Sequence, residues 1–132
     1  MACHDPISDM LTKVRNAMMS KKEKVNILLS REKLEIIKIF KNEGFVKNFK
    51  KITEDGKIYI RVFLKYNEDG SSVINGIKRI SKPGRRIYKG YKDLGTLYNN
   101  IGVVVISTSH GVTTTKKAVE KKVGGELLCS LW

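Results

Sequence analysis

Four β-branched apolar residues in a row, Val103-Val104-Val105-Ile106, constrain this chain more than any other feature. Such a run is stiff at χ1 and favours extended backbone, so it predicts a short buried strand. Three hydroxyl residues, Ser107-Thr108-Ser109, follow at once, then His110 and Gly111. Hydroxyls donate and accept together, and a rigid strand end holds them at fixed positions. Gly111 lets the backbone turn with positive φ or lets another backbone come close. A second unusual stretch, Val123-Gly124-Gly125-Glu126-Leu127-Leu128-Cys129-Ser130-Leu131-Trp132, lies just downstream. By residue type alone, two readings compete: a polar turn and a glycine turn leading into a strand, or a binding surface.

The chain has 132 residues, enough for one domain or two small ones that share an interface. Hydrophobic residues make up 41%, which excludes disorder throughout. Net charge is +13 from 26 basic and 13 acidic residues. The excess is spread: residues 1–66 hold 15 basic and 8 acidic, residues 67–132 hold 11 and 5. A basic tail on a neutral body would not look like this. The pattern fits a folded body that shows a positive face to a polyanion, either nucleic acid or an anionic membrane. No stretch reaches the roughly 20 apolar residues that span a bilayer, and the first residues do not resemble a secretory signal. With Cys3 and Cys129 as its two cysteines, the chain reads as a cytoplasmic protein with reduced thiols.

Taken in order, Asp5 suits an N-cap and Pro6 a first helical position. Ile7, Met10, Leu11, Val14, Ala17 and Met18 then form one apolar stripe at helical spacing. Lys24–Leu29 reads as a strand. Ser30 caps a second helix, with Leu34, Ile37 and Phe40 as its buried stripe, widened by Ile36 and Ile39, and Gly44 stops it. Phe45–Ile52 and Lys57–Tyr66 read as strands joined through Glu54-Asp55-Gly56, where Asp-Gly between apolar runs signals a hairpin. Asn67–Ser72 is a polar linker or hairpin loop. Beyond it come a strand over Val73–Ile80, a Pro83-Gly84 turn and extended Arg85–Tyr88. An irregular Gly90–Gly102 stretch follows, with a helical turn near Leu94–Leu97. Last come the Val103–Ser107 strand, a helix near Thr115–Lys122 and a strand over Glu126–Leu131. The expectation is an α+β protein of two small packed modules: residues 1–68, α-β-α-β-β, and residues 69–132, mostly β with a short helix.

Lys78, Arg79, Lys82, Arg85, Arg86, Lys89 and Lys92 crowd one segment, and no acid occurs between Gly70 and Lys92. Tyr88 and Tyr91 interleave with them. Arginine offers a planar fork for phosphate, and tyrosine can stack on bases. A solvated, charge-protected strand edge gives the same composition, but the overall charge excess favours RNA contact. The hydroxyl turn suits structured RNA better than DNA, because A-form RNA exposes 2′-hydroxyls in a shallow groove. Glu126 beside such a surface costs phosphate repulsion. It either accepts hydrogen bonds from bases or 2′-hydroxyls, or binds its own loop and stiffens the Ser107–Gly111 turn. Gly124 and Gly125 permit the close approach that either role needs.

Ile106-Ser107-Thr108-Ser109-x-Gly111 with Gly124-Gly125-Glu126-Leu127-Leu128-Cys129-x-x-Trp132 resembles the bacterial-type small-subunit ribosomal protein eight family. Asp5-Pro6-Ile7-Ser8-Asp9-Met10-Leu11-Thr12-Lys13-Val14-Arg15-Asn16-Ala17 is similar to that family's opening helix, and Ser81-Lys82-Pro83-Gly84-Arg85-Arg86-Ile87-Tyr88 to its central basic turn. The resemblance implies a primary rRNA-binding protein that grips an irregular stem of the central domain of small-subunit (16S-type) rRNA and supports assembly. It also implies contact with neighbouring small-subunit ribosomal proteins and, in some bacteria, with its own operon's mRNA. It assigns RNA contact to Ser107, Thr108, Ser109 and Gly111, with Gly124, Gly125 and Glu126 behind them. Lys82, Arg85, Arg86 and Tyr88 are the basic turn's contribution, and Lys116 and Lys117 that of the following helix. The chain departs from the family after Gly111: Thr115 stands where a capping Asp is usual, and Val119 where an Arg is usual.

A non-ribosomal RNA chaperone or architectural RNA-binding module is the alternative. An enzyme is the rival class, but no nucleophile-elbow pattern surrounds any serine, and no phosphate-cradling glycine loop is present. Zinc would need Cys3, His4, His110 and Cys129, without any Cys-x-x-Cys pair. The expectation is no cofactor, no metal, no membrane partner and no small-molecule substrate.

Overall fold

The computed structural model describes residues 5–97 and 102–132. It is an α+β fold that divides into two compact units, Ile7–Asn75 and Gly76–Trp132, with Asp5 and Pro6 belonging to the second. Residues 98–101 of the stretch expected to be irregular, and Cys3 and His4 of the zinc reading, lie outside the described residues.

The first unit has the order α-β-α-β-β expected of it. Helix α1 spans Pro6–Met19, with proline at its first position, and all six stripe residues are buried. Strand β1 is Lys24–Leu28 and helix α2 is Arg31–Asn42. The Ser30 hydroxyl accepts from the Lys33 amide at 3.2 Å, the expected cap. Gly44, at φ +82°, ends the helix in the left-handed region. The buried stripe differs at two positions: Leu34 is half-buried, and Lys33 is 9% exposed. Its stem lies along apolar surface while Nζ reaches the Leu28 carbonyl at 3.3 Å. Strands β2 (Val46–Glu54) and β3 (Lys57–Leu64) form the hairpin, with Asp55 and Gly56 both at positive φ. The sheet order is β1-β3-β2, all antiparallel. Ile27, Val46, Ile60, Val62 and Leu64 line its buried face. The Asn67–Ser72 segment closes on itself through an Asn67 amide bond to the Ser71 carbonyl at 2.8 Å.

The second unit is a five-stranded sheet with two short helices. Strand β4 is only Ile77–Arg79, shorter than the Val73–Ile80 expected. Gly76 exchanges both backbone bonds with Trp132, and the Trp132 indole occupies the space a side chain there would need. Strand β5 is Tyr88–Lys89, and helix α3 spans Tyr91–Leu97. Strand β6 is Val103–Thr108, β7 is Gly111–Thr114, helix α4 is Thr115–Glu120 and β8 is Gly125–Leu131. Strand β8 is central, pairing β6 on one side and both β4 and β5 on the other. Val104, Ile106 and Leu127 pack with Ala118 of α4 and Leu94 of α3 on one face of this sheet. Burial pushes the Cys129 thiol up to about 12, so it stays protonated. Among the described residues, no helix is long and apolar enough to cross a membrane.

Candidate nucleic-acid interface

The hydroxyl segment is the tip of the β6–β7 hairpin. Thr108 pairs with Gly111 across the turn, and Gly111 sits at φ +105° with open space around it. The Thr108 hydroxyl accepts from the His110 amide at 3.1 Å and donates to the Gly111 carbonyl at 2.8 Å. This is a side-chain-closed turn. The three hydroxyls therefore divide. Thr108 holds the tip, while among the described residues no hydrogen bond engages Ser107 or Ser109 through the hydroxyl.

Strand register brings distant residues into one row. Ser107 lies opposite Val112 on β7 and opposite Glu126 on β8, and Glu126 lies opposite Tyr88 on β5. Side chains paired this way share a face, and this face is opposite the one that carries Ile106 and Leu127. Tyr88 is 65% exposed at the end of the row. Gly125 is required by close approach: an added Cβ would run into the Ser107 carbonyl, and one at Gly124 into the Lys89 carbonyl.

Among the described residues, Glu126 bonds the basic turn and not the hydroxyl tip. Its Oε2 accepts from Arg86 Nη1 at 3.0 Å, and the turn is held by Thr108 instead. That hydrogen bond, then the charge behind it, raises the Arg86 pKa further. The guanidinium is half exposed, so the pair contributes little to stability and acts by placing one arginine beside the row.

The basic turn is an excursion from the sheet edge. Lys82 and Arg85 exchange both backbone bonds around Pro83-Gly84. Ser81, fully buried, pins the base: its Oγ accepts from the Ile87 amide at 2.9 Å and donates to the Ile87 carbonyl at 3.3 Å. Lys82, Arg85, Arg86, Tyr88 and Lys89 are all exposed. Two neighbours are not part of this surface. The Arg79 side chain is drawn in from solvent, bound to Asp5 by Nε at 3.1 Å and to the Leu128 carbonyl by Nη1 at 2.6 Å. Tyr91 packs against the core cluster.

Lys116 and Lys117 are exposed on α4, which Ala118 ties to the other sheet face, away from the Ser107–Glu126–Tyr88 row. The cap of α4 is Thr114, not Thr115: its hydroxyl accepts from the Lys117 amide at 3.3 Å. Sequence reasoning missed Ser81 and Thr114 as organisers. Ser81 carried one signal, a small hydroxyl residue directly before a basic Pro-Gly turn.

The fold and this surface define a class: a two-unit α+β protein whose second unit gathers hydroxyl and guanidinium groups along one β-rich rim. Within that class the chain belongs to the ribosomal protein S8 family, whose defining pattern matches residues 5–132. Relatives are alike over their whole length. The small ribosomal subunit protein uS8 of Treponema pallidum (strain Nichols) is 54% identical over 100% of both chains. Those of Borreliella afzelii and Syntrophobacter fumaroxidans are 45% and 43% identical, again over 100% of both chains.

Proposed function

We propose that this protein is a non-catalytic constituent of the small ribosomal subunit in the cytoplasm, and that it binds small-subunit rRNA directly. The observation that carries the ribosomal assignment is the end-to-end similarity to proteins named as small ribosomal subunit protein uS8. The module over residues 69–132 does the binding. Ser107 and Ser109 present hydroxyls to 2′-hydroxyls and splayed bases of an irregular stem. Thr108 and Gly111 shape the tip, and Gly124 and Gly125 bring β8 against it. Arg86 is aimed by Glu126, and Lys82, Arg85 and Tyr88 meet phosphates and an exposed base. Lys116 and Lys117 supply phosphate contact from the far side of the sheet. Neighbouring ribosomal proteins are further partners, and its own operon's mRNA is a third where it carries a similar stem.

Crosslinking in cells, followed by sequencing of the bound RNA and gradient sedimentation, tests the reading. One dominant rRNA stem and co-sedimentation with the small subunit are expected. Diffuse transcripts on a protein that runs free of ribosomes would overturn it in favour of an RNA chaperone.

A further inference from the structure

We infer that the first unit carries a second RNA surface, for unpaired nucleotides, on the open face of its three-stranded sheet. One face of that sheet is core. On the other, the central strand β3 presents Tyr59, Arg61 and Phe63 in succession, each half-buried. Alternate residues of a strand lie about 6.6–6.8 Å apart, so three planar groups stand in line. The middle one is fixed: Arg61 Nε donates to Asn26 Oδ1 at 3.0 Å from the neighbouring strand. Lys50, opposite Arg61 on β2, places Nζ 5.7 Å from the Phe63 ring centroid. Register also puts Lys24 and Lys57 on this face, against the single carboxylate of Glu54.

The charge selects a polyanion, and the rings select its kind. A duplex buries its base faces and would use only the cations. An unpaired strand can lay bases on Tyr59 and Phe63, with the Arg61 plane between them and lysines on the phosphates. An acidic protein surface would satisfy the cations but has no use for three planar groups in a row. This surface shares no residue with the Ser107–Glu126–Tyr88 row, so it stands or falls apart from the stem-binding proposal.

The test uses the full chain and a mixed-sequence single-stranded RNA of about 10 nucleotides. Ultraviolet crosslinking with peptide mapping should place RNA on the peptide that contains Tyr59 and Phe63. Replacing both by leucine keeps apolar bulk and removes stacking. Single-strand affinity should then fall at least about five-fold, with affinity for the rRNA stem unchanged. Tyr59→Leu alone, at a half-exposed ring, gives the same reading should the pair fail to fold by circular dichroism. Unaltered single-strand affinity in a folded variant overturns the proposal. So does a map, from assembled subunits, in which Tyr59 and Phe63 crosslink to a neighbouring protein and not to RNA.

Discussion

At the scale of single residues, hydroxyl and charge should separate in binding measurements. Ser107→Ala with Ser109→Ala removes groups that act by geometry, so binding to the specific stem should weaken by about 1–3 kcal/mol. The salt slope should hold. Glu126→Gln should do something different, because its carboxylate faces Arg86. It frees one cation, so unrelated duplex RNA should bind more tightly and the salt slope should steepen by just under one unit. Titrations of both variants against both RNAs at several salt concentrations check this. Equal losses on both RNAs for the serine pair would make the turn one more electrostatic contact. Arg79 belongs to stability instead. Arg79→Met leaves Asp5, 13% exposed at its side chain, without that cation, and should cost about 3–5 kcal/mol in urea unfolding. A loss under 1 kcal/mol would mean that the Arg79 contact adds little to what else holds Asp5.

Two glycines of the same hairpin region separate at the scale of elements. Gly125→Ala forces a Cβ into the Ser107 carbonyl and should push β8 from β6, at a cost of about 1–3 kcal/mol. Gly111→Ala meets open space, so its cost is conformational only, about 1–2 kcal/mol for φ +105°. Thermal melts give the two losses, and amide exchange separates them: only Gly125→Ala should expose the β6–β8 ladder. Elements whose causes are local were legible in the sequence. The α1 stripe, the Ser30 cap, the Gly44 stop and the Asp55-Gly56 turn each depend on residues within a few positions. Failures occurred where a distant partner decides. Three threonines in a row, 113–115, offer equal caps, and burial of Ala118 on the sheet fixes the helix phase that selects Thr114. Strand β7, four residues long, is visible only through its pairing with β6.

For the whole molecule, charge is distributed and not focused. Replacing Arg85 and Arg86 by alanine should reduce affinity for specific and unrelated RNA together and make the salt slope shallower by about one to two units. Most of the slope should remain, because the net charge is +13 and both halves of the sequence share it. A slope abolished by this pair would place nearly all phosphate contacts on one turn. The candidate site was legible as a set of residue types but not as an arrangement. Sequence order separates Tyr88 from Ser107 and Glu126, and β-register alone aligns them. Arg79 shows the converse: counted among seven neighbouring cations, it is withdrawn by an aspartate 74 positions away.

The central place of β8 also fixes the tempo of folding. Before β8 docks, the segment that holds β4 and β5 has no ladder partner, and β6 has only its short hairpin. The second unit must therefore close loops of roughly 20 to 50 residues before it gains its main contacts, whereas the β2–β3 hairpin closes across a two-residue turn. Pulse-labelled amide exchange during refolding should show β2 and β3 protected first. Strands β4, β5, β6 and β8 should follow later and together, in one kinetic phase.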